Sequence, residues 1–366
     1  MSGGVDSSVS AFLIKESGMD CMGTTMRLYE NDMIGEDLFG TCCSAKDTED
    51  ARAVCEKIGI DYRILHYEAQ FEEQVIAPFV CAYENARTPN PCIECNRKLK
   101  FTALVEKLPE WGCDYLVTGH YARIEKDEET GRFLLKKAVD PTKDQSYVLY
   151  MMNQELLSKI RFPLGNLTKE KVREIAQQHG FVNAAKQDSQ DICFVPDGDY
   201  VAFMQRYRGK KYPEGNFVDK EGNILGRHKG IVCYTIGQRK GLGISSESPY
   251  YVTAIRPETN EVVLGSNEDL FTTTLVAGNI NLITTDRIEG EMHISAKIRY
   301  RHKEEPATVT QIADDRLQVV FDKPQRAITP GQAVVLYDGD VVVGGGTILY
   351  PSCKETCDCI LYRTIV

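Results

Sequence analysis

Ser2-Gly3-Gly4-Val5-Asp6-Ser7-Ser8, leading into the apolar run Val9-Ser10-Ala11-Phe12-Leu13-Ile14, is the stretch on which the fold turns. Two adjacent glycines let the backbone bend until successive N–H groups face an anion, and the helix that follows adds its positive end and unpaired amides. Ser7 and Ser8 supply hydroxyl donors, and Asp6 can hold a magnesium ion that bridges phosphates. No Gly-Lys-Ser/Thr string of the common nucleoside-triphosphate loop occurs in the chain.

Outward from the loop, residues 1 to about 196 alternate helical and strand signals. Ser7–Lys15 reads as helix, Cys21–Arg27 as strand, and Asp47–Ile58 as an amphipathic helix. Tyr62–His66 reads as a short strand, Leu99–Leu108 as helix, Tyr115–Gly119 as strand, and Thr168–His179 as a helix stopped by Gly180. This alternation predicts an α/β domain, a parallel sheet with helices on both faces. Beyond Pro196 the texture changes. Gly and Pro punctuate 197–270, predicting a small central domain. The alternating runs His293–Tyr300, Ala307–Ile312, Leu317–Phe321 and Ala333–Tyr337 predict a small β-barrel over 271–350, with a cysteine-containing tail at 351–366.

Composition sets limits. Thirteen cysteines in a chain of 366 residues, with no export signal or membrane-length apolar run, are expected to be reduced thiols in a cytoplasmic protein. The net charge of −10 disfavours indiscriminate nucleic-acid binding, yet Lys and Arg cluster at 97–100, 206–211, 227–229, 239–240 and 297–303. An acidic body with basic islands is compatible with one folded RNA partner. The segment Thr88-Pro89-Asn90-Pro91-Cys92-Ile93-Glu94-Cys95-Asn96-Arg97 carries the densest chemistry. Its prolines suit a helix start, which places Cys95 near a helix N-terminus beside Arg97 and Lys98, where a thiol pKa is expected to fall. A third thiol, Cys193, follows Asp188-Ser189-Gln190-Asp191-Ile192.

The opening loop resembles the pyrophosphate (PP) loop of ATP pyrophosphatases, the adenine-nucleotide α-hydrolase-like domain. In that family a buried strand precedes the loop, whereas this sequence opens at Met1, so the first strand is apparently missing, either because the start is set too late or because the strand is absent. The loop, the Asn-Pro-x-x-x-Cys-Asn string at 90–96, Thr118-Gly119-His120-Tyr121-Ala122-Arg123, Lys143-Asp144-Gln145-Ser146-Tyr147 and Asp191-Ile192-Cys193-Phe194 stand in the order found in bacterial tRNA 2-thiouridylases, the MnmA/TrmU family. So do Tyr234-Thr235-Ile236-Gly237-Gln238-Arg239-Lys240-Gly241-Leu242-Gly243, Lys297-Ile298-Arg299-Tyr300-Arg301, Pro330-Gly331-Gln332 and Gly344-Gly345-Gly346.

The resemblance implies an ATP- and Mg2+-dependent sulfurtransferase acting on the wobble uridine of tRNAs for Lys, Glu and Gln. A cysteine desulfurase or sulfur-relay protein would supply the sulfur. Cys193 would receive the persulfide and Cys95 would be its thiol partner. Cys92 stands where the family often has an aspartate proposed as general acid/base. Ser2, Gly3, Gly4, Val5, Asp6, Ser7, Met26 and Gly119 would hold ATP, with Asp6 on its magnesium. Asn90, Pro91, Cys92, His120, Lys143, Asp144, Gln145, Arg299, Tyr300 and Gln332 would touch tRNA, with Arg299 and Tyr300 on a barrel strand. Three alternatives stand beside this reading: an iron–sulfur tRNA thiolase ligated by Cys92, Cys95 and Cys193, an amide-forming synthetase, and an RNA-binding relic without turnover. Cys353, Cys357 and Cys359 match no standard zinc spacing.

Overall fold

The structure, a computed structural model, describes residues 1–29, 45–188 and 192–350. The cysteine tail, Cys42, Cys43 and the motif residues 189–191 lie outside them. The chain divides into two compact units. Unit 1 comprises 1–76, 91–203 and 340–342, and unit 2 the remainder.

Unit 1 is the α/β part. The loop runs directly into α1 (Val5–Glu16), followed by β1 (Met22–Arg27), α2 (Ala45–Ile58) and β2 (Asp61–His66). A short helix α3 (Glu68–Phe71) continues as π-helical turns over Glu72–Ile76. The helix α4 starts at Pro91–Glu94, passes through a π-helical stretch Cys95–Ala103 and finishes as Leu104–Trp111, stopped by Gly112 in the left-handed region. Then come β3 (Leu116–Val117), the hairpin β4 (Ala122–Lys126) and β5 (Phe133–Lys137), α5 (Gln154–Lys159), β6 (Ile160–Arg161) and α6 (Lys169–Gln178).

Parallel pairing is present as expected, in two separate pairs, β1 with β2 and β3 with β6. No strand precedes α1 among the described residues. The N-terminal amine of Met1 donates to the Thr24 carbonyl, and Thr25 Oγ1 donates to the Met1 carbonyl, so the loop leaves from beside β1. α1 and α6 pack on each other through Val5, Val9, Val172 and Ala176, all buried. Thr168 caps α6 by accepting from the Lys171 amide, and Gly180 at φ +58° ends it.

Unit 2 contains the four-stranded sheet β8-β7-β10-β9, built from β7 (Gly215–Val218), β8 (Ile224–His228), β9 (Tyr251–Arg256) and β10 (Glu261–Gly265), with β7 and β10 parallel. Its second body is a closed barrel of β11 (Phe271–Leu282), β12 (Glu291–Lys297), β13 (Glu305–Ala313), β14 (Arg316–Arg326), β15 (Ala333–Asp338) and β16 (Val341–Ile348). It runs β11-β14-β13-β12-β15-β16 and shuts through β11–β16 pairing. Inward residues alternate along the strands, Ala307 and Val309 on β13 and Leu317, Val319 and Phe321 on β14, filling one core with Val334 and Leu336. Closure removes the unpaired edges that short antiparallel strands would otherwise expose. The barrel corrects one expectation. β12 ends at Lys297, so Arg299 and Tyr300 sit in the turn after the strand, not on it.

Candidate active site

The loop is held open by its own backbone geometry. Gly3 is buried at φ +69°, and a Cβ there would run into the backbone of Asp47 at the start of α2. Gly4 is the N-cap of α1 and brings no capping side chain, which leaves the first-turn amides to an incoming anion. Ser7 Oγ accepts from the Ser2 amide at 3.0 Å and donates to the Gly4 carbonyl at 3.1 Å. Asn183 Nδ2 donates to both the Gly3 carbonyl (3.0 Å) and Ser8 Oγ (2.9 Å). Lys186 Nζ donates to the same Gly3 carbonyl at 3.1 Å and pairs with Asp47 and Asp50. Neither Asn183 nor Lys186 was legible as a site residue, since each makes sense only once residue 3 and residue 183 are neighbours.

Gly119 sits against the phosphate loop. A Cβ there would lie 2.8 Å from Asp6 C and Ser7 N and 3.0 Å from Asp6 O. The glycine admits the phosphate loop itself, and the close approach is backbone to backbone. Met26 lies near the C-terminal end of β1, half-buried and opposite Leu65 of β2, on the strand edge where open α/β sheets take their ligands.

Asp6 is engaged on both oxygens. Lys169 Nζ donates to Oδ1 at 2.7 Å and Oδ2 at 2.8 Å, and the Tyr121 hydroxyl donates to Oδ1 at 2.8 Å. Burial first, and then the Asp6 charge, push the Tyr121 phenol far above its ordinary range, which keeps it a donor. Lys169 also pairs with Asp188 at 2.7 Å, and Asp188 takes Lys143 (2.7 Å) and Arg173 (3.2 Å) as well. Burial would raise the Asp188 pKa, but the hydrogen bonds from Lys143 and Lys169 outweigh it and hold the carboxyl below the usual range.

The three thiols differ in exposure. Cys92 is exposed, Cys95 is buried in the first π-helical turn of α4, and Cys193 is half-buried. Arg97 and Lys98, neighbours of Cys95 in sequence, reach the Glu94 carboxylate at 3.8 and 3.2 Å. Cys193 is tied to the outlet of β1. The Tyr29 hydroxyl donates to its carbonyl at 3.2 Å, and the Tyr29, Phe71 and Phe194 rings pack in sequence. The π-helical part of α4 packs on the same α3 segment. Among the described residues, no three His, Cys, Asp or Glu side chains gather where they could hold a metal ion. Cys92, Cys95 and Cys193, the ligands of the iron–sulfur alternative, form no such group.

Several residues expected at tRNA have work inside the fold. Asp144 accepts from the Ala138 amide and the Ser146 hydroxyl, and Gln145 Oε1 accepts from the Tyr121 amide. Gln332 Nε2 donates to the Thr88 carbonyl at 2.7 Å. His120 Nδ1 pairs with the Thr118 hydroxyl at 2.8 Å, and its ring sits between Phe101 and Phe162. Desolvation, with the Lys100 charge second, pushes His120 down to about 3. Pro91 is buried and Asn90 half-buried. Arg299 donates to the Arg326 carbonyl, while Tyr300 is 40% exposed with Lys297 above its ring. No helix among the described residues is long and apolar enough to cross a membrane.

Family models match along most of the chain: a tRNA methyl transferase HUP domain over residues 1–197, a tRNA methyl transferase PRC-barrel domain over 201–266 and an aminomethyltransferase beta-barrel domain over 272–348. Curated relatives are similar over their whole length. The tRNA-specific 2-thiouridylase MnmA of Clostridioides difficile (strain 630) is 51% identical over 95% of this chain and 96% of its own. The protein of the same name from Clostridium botulinum (strain Alaska E43 / Type E3) is 49% identical over the same shares, and that of Lachnoclostridium phytofermentans 50% identical over 95% and 98%.

Proposed function

This chain belongs to the family of tRNA-specific 2-thiouridylases, and from that premise we propose how its residues put sulfur on the wobble uridine of tRNA. It is an ATP-dependent tRNA-uridine 2-sulfurtransferase. The amides at the start of α1, the Gly3-Gly4 turn and the Ser2 and Ser7 hydroxyls receive the polyphosphate, with magnesium on Asp6 and the adenine at Met26. The uracil O2 attacks the α-phosphorus of ATP and pyrophosphate leaves, which converts a poor leaving group into AMP. The terminal sulfur of a persulfide on Cys193 attacks C2, and AMP departs with the original oxygen. The Cys95 thiolate then attacks Cys193 Sγ. The sulfur–sulfur bond breaks, sulfur stays on the ring, and a Cys95–Cys193 disulfide remains for an external thiol to reduce. Cys92, which is exposed, moves the protons.

The observation that carries this reading is that one strand ties both segments: Met1, just before the loop, bonds to Thr24 and Thr25 in the middle of β1, and Tyr29, two residues past its end, bonds to Cys193. Buried Cys95 on the neighbouring helix supplies the second thiol. The central domain (197–270) and the barrel (271–350) contribute tRNA contacts, with Tyr300 as an exposed stacking face. Asn90, Pro91 and Cys92 border the flipped base; His120, Lys143, Asp144 and Gln145 of unit 1 touch the tRNA, and so, separately, do Arg299 and Gln332 of unit 2. The substrates are tRNAs for Lys, Glu and Gln, the sulfur comes from a cysteine desulfurase or its relay, and the site of action is the cytoplasm.

The test uses purified chain, Mg–ATP, a desulfurase with cysteine, and tRNA. Wild type is expected to form 2-thiouridine with one AMP and one pyrophosphate per sulfur. Cys193→Ser is expected to bind ATP and tRNA normally and to transfer no sulfur. Thiolation at wild-type rate by that variant removes Cys193 from the mechanism.

A further inference from the structure

The α6 lysine that bridges Asp6 and Asp188 has no place in the reaction as described so far. We infer that Lys169 is a polyphosphate-binding residue whose ammonium is released toward the phosphates when magnesium takes Asp6, an inference that rests on the loop being the ATP site.

An ammonium has three hydrogens and no acceptor. Lys169 directs its hydrogens at Asp6 Oδ1 (2.7 Å), Asp6 Oδ2 (2.8 Å) and Asp188 Oδ1 (2.7 Å), and its side chain is only 10% exposed. Water has little access to it. When Asp6 turns an oxygen toward a metal ion, at least one Lys169 donor loses its acceptor, and an unpaired ammonium at that depth is costly. The same event delivers phosphate oxygens to the N-terminus of α1, one residue from Asp6, and these are the nearest new acceptors. The fold tolerates the shift on the other side. Asp188 keeps Lys143 and Arg173 when Lys169 moves, so no carboxylate is stranded. The lysine backbone is fixed independently of its head group, because the Lys169 amide donates to Asp140 at 2.9 Å. Only the ammonium has to swing.

A consequence separates this role from plain ion pairing: Lys169 serves phosphate only when magnesium is present. Isothermal titration of the full chain with inorganic pyrophosphate, with and without MgCl2, reads it directly. With magnesium, Lys169→Met is expected to bind pyrophosphate about tenfold to a hundredfold more weakly than wild type, the worth of one charge-assisted hydrogen bond to phosphate. Without magnesium the two are expected to be equal. Lys169→Gln, which keeps a donor toward both aspartates, is measured alongside so that misfolding of one variant does not end the test, and it is expected to show the same magnesium-dependent loss. Variants that bind Mg–pyrophosphate as tightly as wild type overturn the inference while leaving the loop reading intact. A wild type that binds no pyrophosphate in magnesium overturns both.

Discussion

Gly119→Ala puts one methyl group against the phosphate loop. The added carbon would sit 2.8 Å from Asp6 C and from Ser7 N, where ordinary contact begins at 3.4 Å. The shortfall of about 0.6 Å falls on backbone atoms of the first turn of α1, which cannot rotate away as a flexible side chain can. Asp6 is further held by Lys169 and Tyr121, and α1 is packed on α6, so the turn has little room to retreat. Overpacking of this kind costs ~1–3 kcal/mol. Part of that appears as lost stability and part as displacement of the amides that receive phosphate. If all of it appeared in ATP binding, affinity would fall roughly 5- to 150-fold. The assay is calorimetric titration of Mg–ATP beside a thermal melt of the same sample. A variant with wild-type ATP affinity and wild-type melting temperature would refute the reasoning, because the steric conflict has no third place to go.

Asp6→Ala is expected to abolish pyrophosphate release, measured with a coupled phosphate assay, and unchanged release discredits the assigned loop. Lys186→Met removes the Lys186 ammonium from the buried Asp47 and one donor from the Gly3 carbonyl, so urea melts are expected to show a loss of roughly 1.5–3 kcal/mol. His120 stays neutral in the fold until about pH 3 but takes a proton at its ordinary value of 6.5 once unfolded. The unfolded state therefore binds more protons between those values, and stability falls as pH drops from about 6.5 toward 3. His120→Gln is expected to flatten that part of the urea-midpoint profile, and an unchanged slope would show that another group is responsible.

The elements that were legible in the sequence are those whose cause is local. The loop and α1 follow from adjacent glycines before an apolar run, α6 from a Thr168 cap and a Gly180 stop, and β13 and β14 from alternating burial. What was not legible depends on residues far apart in the chain. Gly119 was read only as a residue that would hold ATP, and its close fit against the backbone of residues 6 and 7 emerges only in the fold. Asn183, Lys186 and Lys169 look like ordinary polar residues until the fold sets them 180, 183 and 163 positions away against Gly3 and Asp6. Arg97 and Lys98 were read from sequence only as neighbours of Cys95, and their pairing with Glu94 at three and four residues follows from helical spacing. Arg299 and Tyr300 continue an alternating pattern past the point where β12 hands over to a turn. Pattern sees the period and misses the ladder's end.

The most direct measurement is nucleoside mass spectrometry of anticodon fragments from cells that lack this protein, with and without the gene restored. Loss of 2-thiouridine at the wobble position of the Lys, Glu and Gln tRNAs, returned by the intact chain and not by its Cys193→Ser form, is the predicted result. Wobble 2-thiouridine at normal abundance without the protein, or its full return with Cys193→Ser, would contradict the account.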